Sequence, residues 1–351
     1  MMRIASRIHD YSVHFEEGLD FLARLDGFFV VDANVLRLHG LSALGALDRD
    51  RLLPFTAEEN AKALANVEEV WDRLLARGVR RNGTLVSIGG GIVQDVTGFA
   101  AATLYRGIRW VYVPTTLLAQ ADSCIGAKTS LNYGGYKNLI GTFYPPHEVH
   151  ICPAFLSTLS EADFCSGLGE VIKLHLMGGA ELTARLTAEM ERVRRREPRA
   201  VLEAIRRSLE VKIGYFEGDE FDSGRRNLLN FGHCFGHALE ASSEFAIPHG
   251  QAVLIGILFA NRIAVKRGLL AEQTARALEE DLLIASLVVR PTARHLDTAR
   301  ILDAFRRDKK RTGPGLPLVM MAERHAMLQV DDLDAEQVAL ATGELAARLC
   351  A

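Results

Sequence analysis

Thr84-Leu85-Val86-Ser87-Ile88-Gly89-Gly90-Gly91-Ile92-Val93-Gln94-Asp95 is the stretch on which the fold turns. Thr84 to Ile88 is a short β-rich run, three glycines follow, and Ile92 to Leu104 carries a helical pattern. A strand that feeds a helix through a glycine turn is half of a βαβ unit. Outward from it, Phe28 to Asp32, Trp110 to Pro114 and Val149 to Cys152 read as further strands, and Ala57 to Arg77 as an amphipathic helix. Beyond about Leu159 the β-branched runs fade into long Ala, Leu, Glu and Arg segments, which favour helix. The expectation is an α/β domain with a mainly parallel sheet over 1–159, followed by an all-α domain over 160–351.

A chain of 351 residues, 48% hydrophobic and 24% charged, has enough apolar material for two folded cores. With 41 Lys and Arg against 44 Asp and Glu, it presents no global field for nucleic acid. The basic run from Arg192 to Arg199 is interrupted by Glu197 and Pro198 and reads as a solvated helix end. Five widely spaced cysteines without a CxxC argue against a disulfide framework and fit a reducing cytoplasm. No apolar run reaches the roughly 18 residues that span a bilayer, so neither a membrane nor a nucleic-acid partner is expected.

Glycines where a strand meets a helix let backbone N–H groups approach a pyrophosphate, although the spacing is not GxGxxG and a plain tight turn reads equally well. Asp32, ending its strand, can bond a ribose hydroxyl or cap the next helix. Thr115 and Thr116 after another strand can touch a ligand in the crevice there or act as caps.

The sharpest signal lies in the later half. In Arg226-Asn227-Leu228-Leu229-Asn230-Phe231-Gly232-His233-Cys234-Phe235-Gly236-His237, a continuous helix would put Arg226, Asn230, His233 and His237 on one face. Two imidazoles four apart can grip one metal, Pro248-His249-Gly250 adds a third, and Glu170-Val171-Ile172-Lys173 adds a carboxylate and a lysine three apart. One carboxylate with two imidazoles leaves a coordination position open, the catalytic pattern. Spacing alone leaves open which two histidines bind, and whether Glu170 and Lys173 are a surface pair. Lys128, Lys137 and Asn138 lie in glycine-punctuated stretches suited to presenting cations to an anion.

Over nearly its whole length the chain resembles the 3-dehydroquinate synthase family of sugar-phosphate cyclases. The resemblance rests on Gly89-Gly90-Gly91-Ile92-Val93-Gln94-Asp95, Val113 to Ser123, Gly126-Ala127-Lys128-Thr129, Lys137-Asn138, Glu170 to Lys173, Arg226 to His237 and His249-Gly250, in the family's order. It implies an NAD-binding first domain, a helical metal-binding second domain, a cleft between them, a small sugar-phosphate substrate and a homodimer. Glu170, His233 and His249 would hold Zn²⁺ or Co²⁺, which leaves His237 as a catalytic or phosphate-contacting residue. Lys128, Asn138 and one of Lys309 and Lys310 match phosphate-binding positions, and Arg106 matches an arginine given by the neighbouring subunit. Asp122, Lys173, Lys212, Arg226 and Asn230 match residues that hold the substrate's hydroxyls and carboxylate. NAD contacts would come from Asp32, Asn34, Glu59, Lys62, Gly90, Gly91, Asp95, Thr115, Thr116 and Thr158.

In such enzymes NAD is recycled: a secondary alcohol is oxidised, phosphate is eliminated, the ketone is reduced again and the ring closes by aldol addition. This chain departs from the dehydroquinate synthase pattern at Gln94 in place of glycine, at Ala127 in a GGKT motif, at Asn132 to Asn138 in place of NHPxGKN, and at Gln251 in place of the glutamate of HGE. The altered loop is similar to cyclases of sedoheptulose 7-phosphate, whereas Lys212, Arg226 and Asn230 are the dehydroquinate synthase choice and suit a carboxylate. The expectation is 3-dehydroquinate synthase of the shikimate pathway. A sedoheptulose 7-phosphate cyclase is the alternative, and a metal-dependent polyol dehydrogenase, which releases NADH, is the alternative of another class.

Overall fold

The computed structural model describes residues 1–40, 44–306 and 315–350. Its internal contacts divide the chain into two units, Met1–Leu159 with Arg196–Ile205, and Ser160–Arg195 with Arg206–Ala351.

Among the described residues the first unit carries nine strands: β1 (Met2–Ile4), β2 (Tyr11–Phe15), β3 (Phe28–Asp32), β4 (Leu52–Phe55), β5 (Thr84–Gly89), β6 (Arg109–Pro114), β7 (Lys128–Tyr133), β8 (Tyr136–Phe143) and β9 (Glu148–Ile151). Seven of them form one sheet in the order β1-β2-β9-β6-β5-β3-β4. Every pairing in it is parallel except β1 with β2. Phe29, Val31, Val86, Ile88, Val111 and Val113 join Phe21, Leu22 and Phe155 in one apolar core against this sheet. Pro54 explains why β4 is hard to read: it lacks an N–H and is tolerated because β4 is an edge strand.

Helices α1 (Ala33–His39), α2 (Leu64–Ala76) and α3 (Gly91–Thr103) belong to this unit. The helix expected from Ala57 begins only at Leu64, because the residues before it are pinned elsewhere. Asn132 N donates to Lys62 O at 2.7 Å, and Asn132 Nδ2 to Glu59 O at 3.0 Å. β7 and β8 form a separate antiparallel hairpin, closed where Gly134 and Gly135 take φ of 59° and 81°, the left-handed conformation a two-residue turn requires.

The second unit carries α4 (Glu161–Met177), α5 (Ala180–Arg194), the later part of α6 (Pro198–Phe216), α7 (His233–Ser242), α8 (His249–Lys266), α9 (Glu272–Leu278), α10 (Thr298–Arg306) and α11 (Ala335–Leu349). It is not all-α as expected, since β10 (Leu316–Met321) and β11 (Met327–Leu333) pair as an antiparallel hairpin. β10 is buried at Leu316 and from Leu318 to Met321, so it shows no apolar-polar alternation and resembles a helical core segment in composition. The basic run is also not simply solvated. Arg196 donates to Leu156 O at 3.0 Å and Leu159 O at 2.7 Å. Among the described residues none of the five cysteines forms a disulfide, and no helix is long and apolar enough to cross a membrane.

Candidate active site

The first unit gathers the expected nucleotide contacts at the carboxyl ends of its parallel strands. Asp32 ends β3, the triple glycine ends β5, and Thr115 and Thr116 follow β6. The chain runs from β3 outward to β4 and then returns to β5 on the other side of β3, the reversal at which open α/β sheets leave a crevice for ligands. Within the turn the glycines differ. A Cβ on Gly89 would lie 2.5 Å from Val93 Cγ2, so packing of the turn itself demands glycine there. A Cβ on Gly91 would meet only Ser123 Oγ, at 3.9 Å, so the chain's own packing does not demand one. A backbone left bare without internal need, at a helix start where Gly90 supplies no side-chain cap, fits close approach of a pyrophosphate.

The side chains here are largely engaged. Asp32 accepts from Asn34 N at 2.8 Å as the cap of α1, and Asn34 Oδ1 accepts from Arg37. Thr116 Oγ1 accepts from Ala119 N, and Thr158 Oγ1 lies 2.9 Å from His39 Nε2. Glu59 Oε1 accepts from Asn132. Lys62 Nζ meets Asp95 Oδ2 at 2.6 Å and Asn138 Oδ1 at 2.5 Å, while Ser130 donates to Asp95 from both its N and its Oγ. Burial pushes the Asp95 carboxyl up, more than Lys62 and Ser130 pull it down. Ser130, absent from the sequence reading, and Asn132, read there only as the start of an altered loop, are thus central to this network, and only the hairpin register places them there. Lys128 opens β7 opposite Phe143, whereas Asn138, at φ 52°, receives its place from Asn132 nearer the turn; Lys137 is exposed. Asp122 is half-buried in the turn Ala119–Ser123, and Arg106 is exposed at φ 64°. Gln94 ties α3 to that turn, Nε2 donating to Ser123 O at 2.7 Å.

The second unit assembles a different kind of site. Arg226 and Asn230 do not share a helix with the histidines as expected. Arg225–Asn230 is a 3-10 turn, Gly232 breaks the chain at φ 77°, and α7 starts at His233. A Cβ at Gly232 would stand 2.6 Å from Val253 O, so the break is also the closest approach of α7 to α8. α4 and α8 touch backbone to backbone, a Cβ on Gly250 falling 1.7 Å from Ser166 O. These contacts bring Glu170 from α4, His233 from α7 and His249 from α8 together. Glu170 Oε1 is 3.4 Å from His233 Nε2 and 3.2 Å from His249 Nε2. One ligating atom from each lies within 4.8 Å of the others.

Glu170 is fully buried, no backbone N–H or hydroxyl reaches its oxygens, and Lys173 Nζ stands 2.6 Å from Oε2 as an ion pair. A buried carboxylate with a lysine on one oxygen and two imidazoles facing the other is a donor set that a divalent cation can join, so the residues fit such an ion. Burial alone would push the Glu170 carboxyl up, but Lys173, His233 and His249 together hold it well below the usual range. Burial and Lys173 push His233 down, whereas Glu170 and Glu240 raise His249 to about 10 against its burial. Glu240 Oε2 meets His249 Nδ1 at 3.2 Å, an orienting contact of the kind that fixes metal-bound imidazoles. Its place three residues after His237 and seven after His233 is a helical-face signal that the sequence does carry.

His237 is exposed, its ring 5.4 Å from that of His233 and 5.8 Å from that of His249. Lys173 also donates to Leu229 O at 3.2 Å, and Asn230 to Asn227 O. Arg226 is buried, donates to Glu220 O and lies 5.6 Å over the Phe216 ring, with Lys212, also buried, one turn earlier on α6. Lys309 and Lys310 lie outside the described residues. Gln251, the departure next to His249, is fully buried and bonds Cys165 O and Val288 N, so it braces α8.

Residues 52–166 match the family model for the 3-dehydroquinate synthase N-terminal region, and residues 167–311 that for the C-terminal region. The chain belongs to the 3-dehydroquinate synthase family. As a member it is an enzyme, a sugar-phosphate cyclase. A 3-dehydroquinate synthase of Dehalococcoides mccartyi is 40% identical over 249 residues, 71% of this chain and 69% of that one. That of Streptococcus equi subsp. equi is 33% identical over 331 residues, 91% of each. Among solved structures, the 2-epi-5-epi-valiolone synthase of Streptomyces hygroscopicus subsp. jinggangensis, with NAD⁺ and Zn²⁺ bound, superposes with a TM-score of 0.86 at 27% identity, covering 98% of this chain and 99% of that one. A 2-deoxy-scyllo-inosose synthase complexed with carbaglucose-6-phosphate, NAD⁺ and Co²⁺ shares the fold over 98% and 99%, with a TM-score of 0.77 at 21% identity.

Proposed function

We propose that this cyclase is a 3-dehydroquinate synthase, which converts 3-deoxy-D-arabino-heptulosonate 7-phosphate to 3-dehydroquinate with release of phosphate. The observation that carries the reading is the buried guanidinium of Arg226, over the ring of Phe216, because a buried guanidinium suits a substrate carboxylate; Lys212, also buried, lies one turn before Phe216 on α6. The two curated relatives support the same choice.

On this reading Gly90, Gly91 and the strand-end residues of the first unit hold NAD, and Glu170, His233 and His249 hold Zn²⁺ or Co²⁺. When bound, NAD accepts and returns a hydride, and the metal acidifies the substrate alcohol. Glu240 keeps His249 turned toward Glu170. Lys173, anchored by Glu170 and Leu229 O, offers a fixed positive charge where alkoxide character develops. Lys128, Asn138 and Lys137 serve the phosphate, whose departing charge they stabilise, and Asp122, Asn230 and His237 serve hydroxyls and proton movement. Arg106, exposed on a strained turn, serves a neighbouring subunit in a homodimer.

A cyclase of sedoheptulose 7-phosphate is the second reading, favoured by the Asn132 to Asn138 loop, and the match to a valiolone synthase supports a cyclase with a product other than 3-dehydroquinate. Phosphate release from 3-deoxy-D-arabino-heptulosonate 7-phosphate, sedoheptulose 7-phosphate and glucose 6-phosphate, with product identification, decides between them. NAD should be required and not consumed. On the acid substrate, Arg226→Ala should cost about 2–5 kcal/mol in transition-state stabilisation, with Arg226→Lys recovering part. Preference for sedoheptulose 7-phosphate, unaltered by Arg226→Ala, would overturn the carboxylate assignment.

A further inference from the structure

A second histidine-carboxylate cluster lies in the first unit and uses none of the residues assigned above. β2 and β9 run parallel, and their register pairs His14 with His150 and places Glu148 one pleat before His150 on the same face. The two imidazoles stack, with centroids 4.8 Å apart and planes 12° apart. His150 Nε2 is 3.3 Å and His14 Nε2 4.0 Å from the same oxygen, Glu148 Oε2. We propose that His14, Glu148 and His150 form a second divalent-cation site that staples β2 to β9.

The chemistry follows from where the protons go. His150 Nδ1 lies 2.8 Å from Glu16 Oε1, so in the tautomer that donates there the Nε2 lone pair faces Glu148 Oε2. His14 places a second ring nitrogen 4.0 Å from that oxygen. A proton on His150 Nε2 would satisfy that contact alone, whereas a cation would draw in His14 as a third ligand. Tetrahedral Zn²⁺ with bonds near 2.0–2.1 Å separates its ligand atoms by about 3.3 Å. One pair already has that spacing, and the ligating atoms all lie within 4.8 Å of one another. His14, whose side chain is 31% exposed, must swing its ring out of the stack to aim its lone pair at the ion, and its exposure leaves room for that and for a water. Glu16 then completes the carboxylate-histidine-metal arrangement that sets the tautomer of a ligating imidazole. Arg109 occupies the other oxygen of Glu148, and Arg24 lies 3.6 Å from Glu16. With one free carboxylate oxygen and two imidazoles, the site suits Zn²⁺ or a similar transition ion, not Mg²⁺ or Ca²⁺.

The test titrates Zn²⁺ into the untagged, chelator-stripped full chain and follows stoichiometry by calorimetry and thermal unfolding. Wild type should take two equivalents, His233→Ala one and His233→Ala/His14→Ala none. Zn²⁺ should raise Tm in His233→Ala and not in the double variant. Glu16→Gln in the His233→Ala background should weaken binding tenfold or more. Co²⁺ added to His233→Ala should give a tetrahedral absorption band, a readout that needs no change at the new site. One equivalent in wild type with none in His233→Ala would overturn the inference while leaving the metal centre at Glu170 intact. An equivalent in His233→Ala that survives His14→Ala unchanged would overturn it too. Loss of the His233-dependent equivalent alone would instead count against the proposed function.

Discussion

Asp95 and Glu170 are interior carboxylates, one in each unit, each with a lysine 2.6 Å away. Their remaining surroundings differ. Asp95 receives a backbone N–H and a hydroxyl from Ser130, and the residues around it are bonded to their own chain. Glu170 receives no backbone N–H or hydroxyl and faces two imidazoles. The first is closed by the fold itself, and its unit leaves backbone, at the glycine turn, as the surface for a ligand. The second is closed only by something added. A nucleotide platform can therefore be finished on folding, while a metal centre must be left incomplete.

The contrast predicts opposite failures. Glu170→Gln should abolish stoichiometric metal at that centre and lower turnover on the order of 10⁴-fold, about 5 kcal/mol, with the fold retained; metal analysis beside phosphate release checks both halves. Asp95→Asn should act on folding, costing about 3 kcal/mol in urea denaturation because Lys62 loses its buried counter-charge. If Asp95→Asn were as stable as wild type, the closed character of that network would be wrong.

α4 carries a second unsatisfied group, His175, whose Nε2 is buried without a partner. Burial holds its imidazole at about 4, against the Val171 carbonyl's opposing pull and with help from Arg207. Between about 4 and the ordinary 6.5 the unfolded chain takes the proton and the folded one does not. The contribution is therefore complete above pH 6.5 and is lost as pH falls through that window. Between pH 7 and 5 the loss should be about 2 kcal/mol, and His175→Phe should flatten it. The smallest effect separates ligand from fold. Gly91→Ala should leave stability within about 0.5 kcal/mol yet weaken NAD binding roughly tenfold, while Gly89→Ala should destabilise the turn. Equal NAD affinity in Gly91→Ala would mean that its bare backbone is not the nucleotide surface.

What the sequence disclosed follows the range of the interactions. The β5-glycine-α3 turn is local, and Thr84 to Leu104 can be read almost residue by residue. Glu170, His233 and His249 can be nominated by residue type and motif, but their meeting depends on glycine contacts between helices about 80 residues apart, for which spacing carries no signal. Lys62 and Asp95 were both expected to face NAD, and their partnership with each other is long-range as well. Gly232 is legible as a helix-weakening residue, yet its left-handed φ, which separates Arg226 from the histidines, depends on the close approach of α8. β10 was missed because a doubly buried strand loses the alternation that distinguishes it from helix.

The contact of Gly250 with Ser166 has a consequence for how such a chain can diverge. Where a single methyl group has no room, the vertex of α4 and α8 cannot widen by small steps through ordinary substitution. A change in what this centre holds is therefore open to the side chains of Glu170, His233 and His249 and closed to the backbone that carries them.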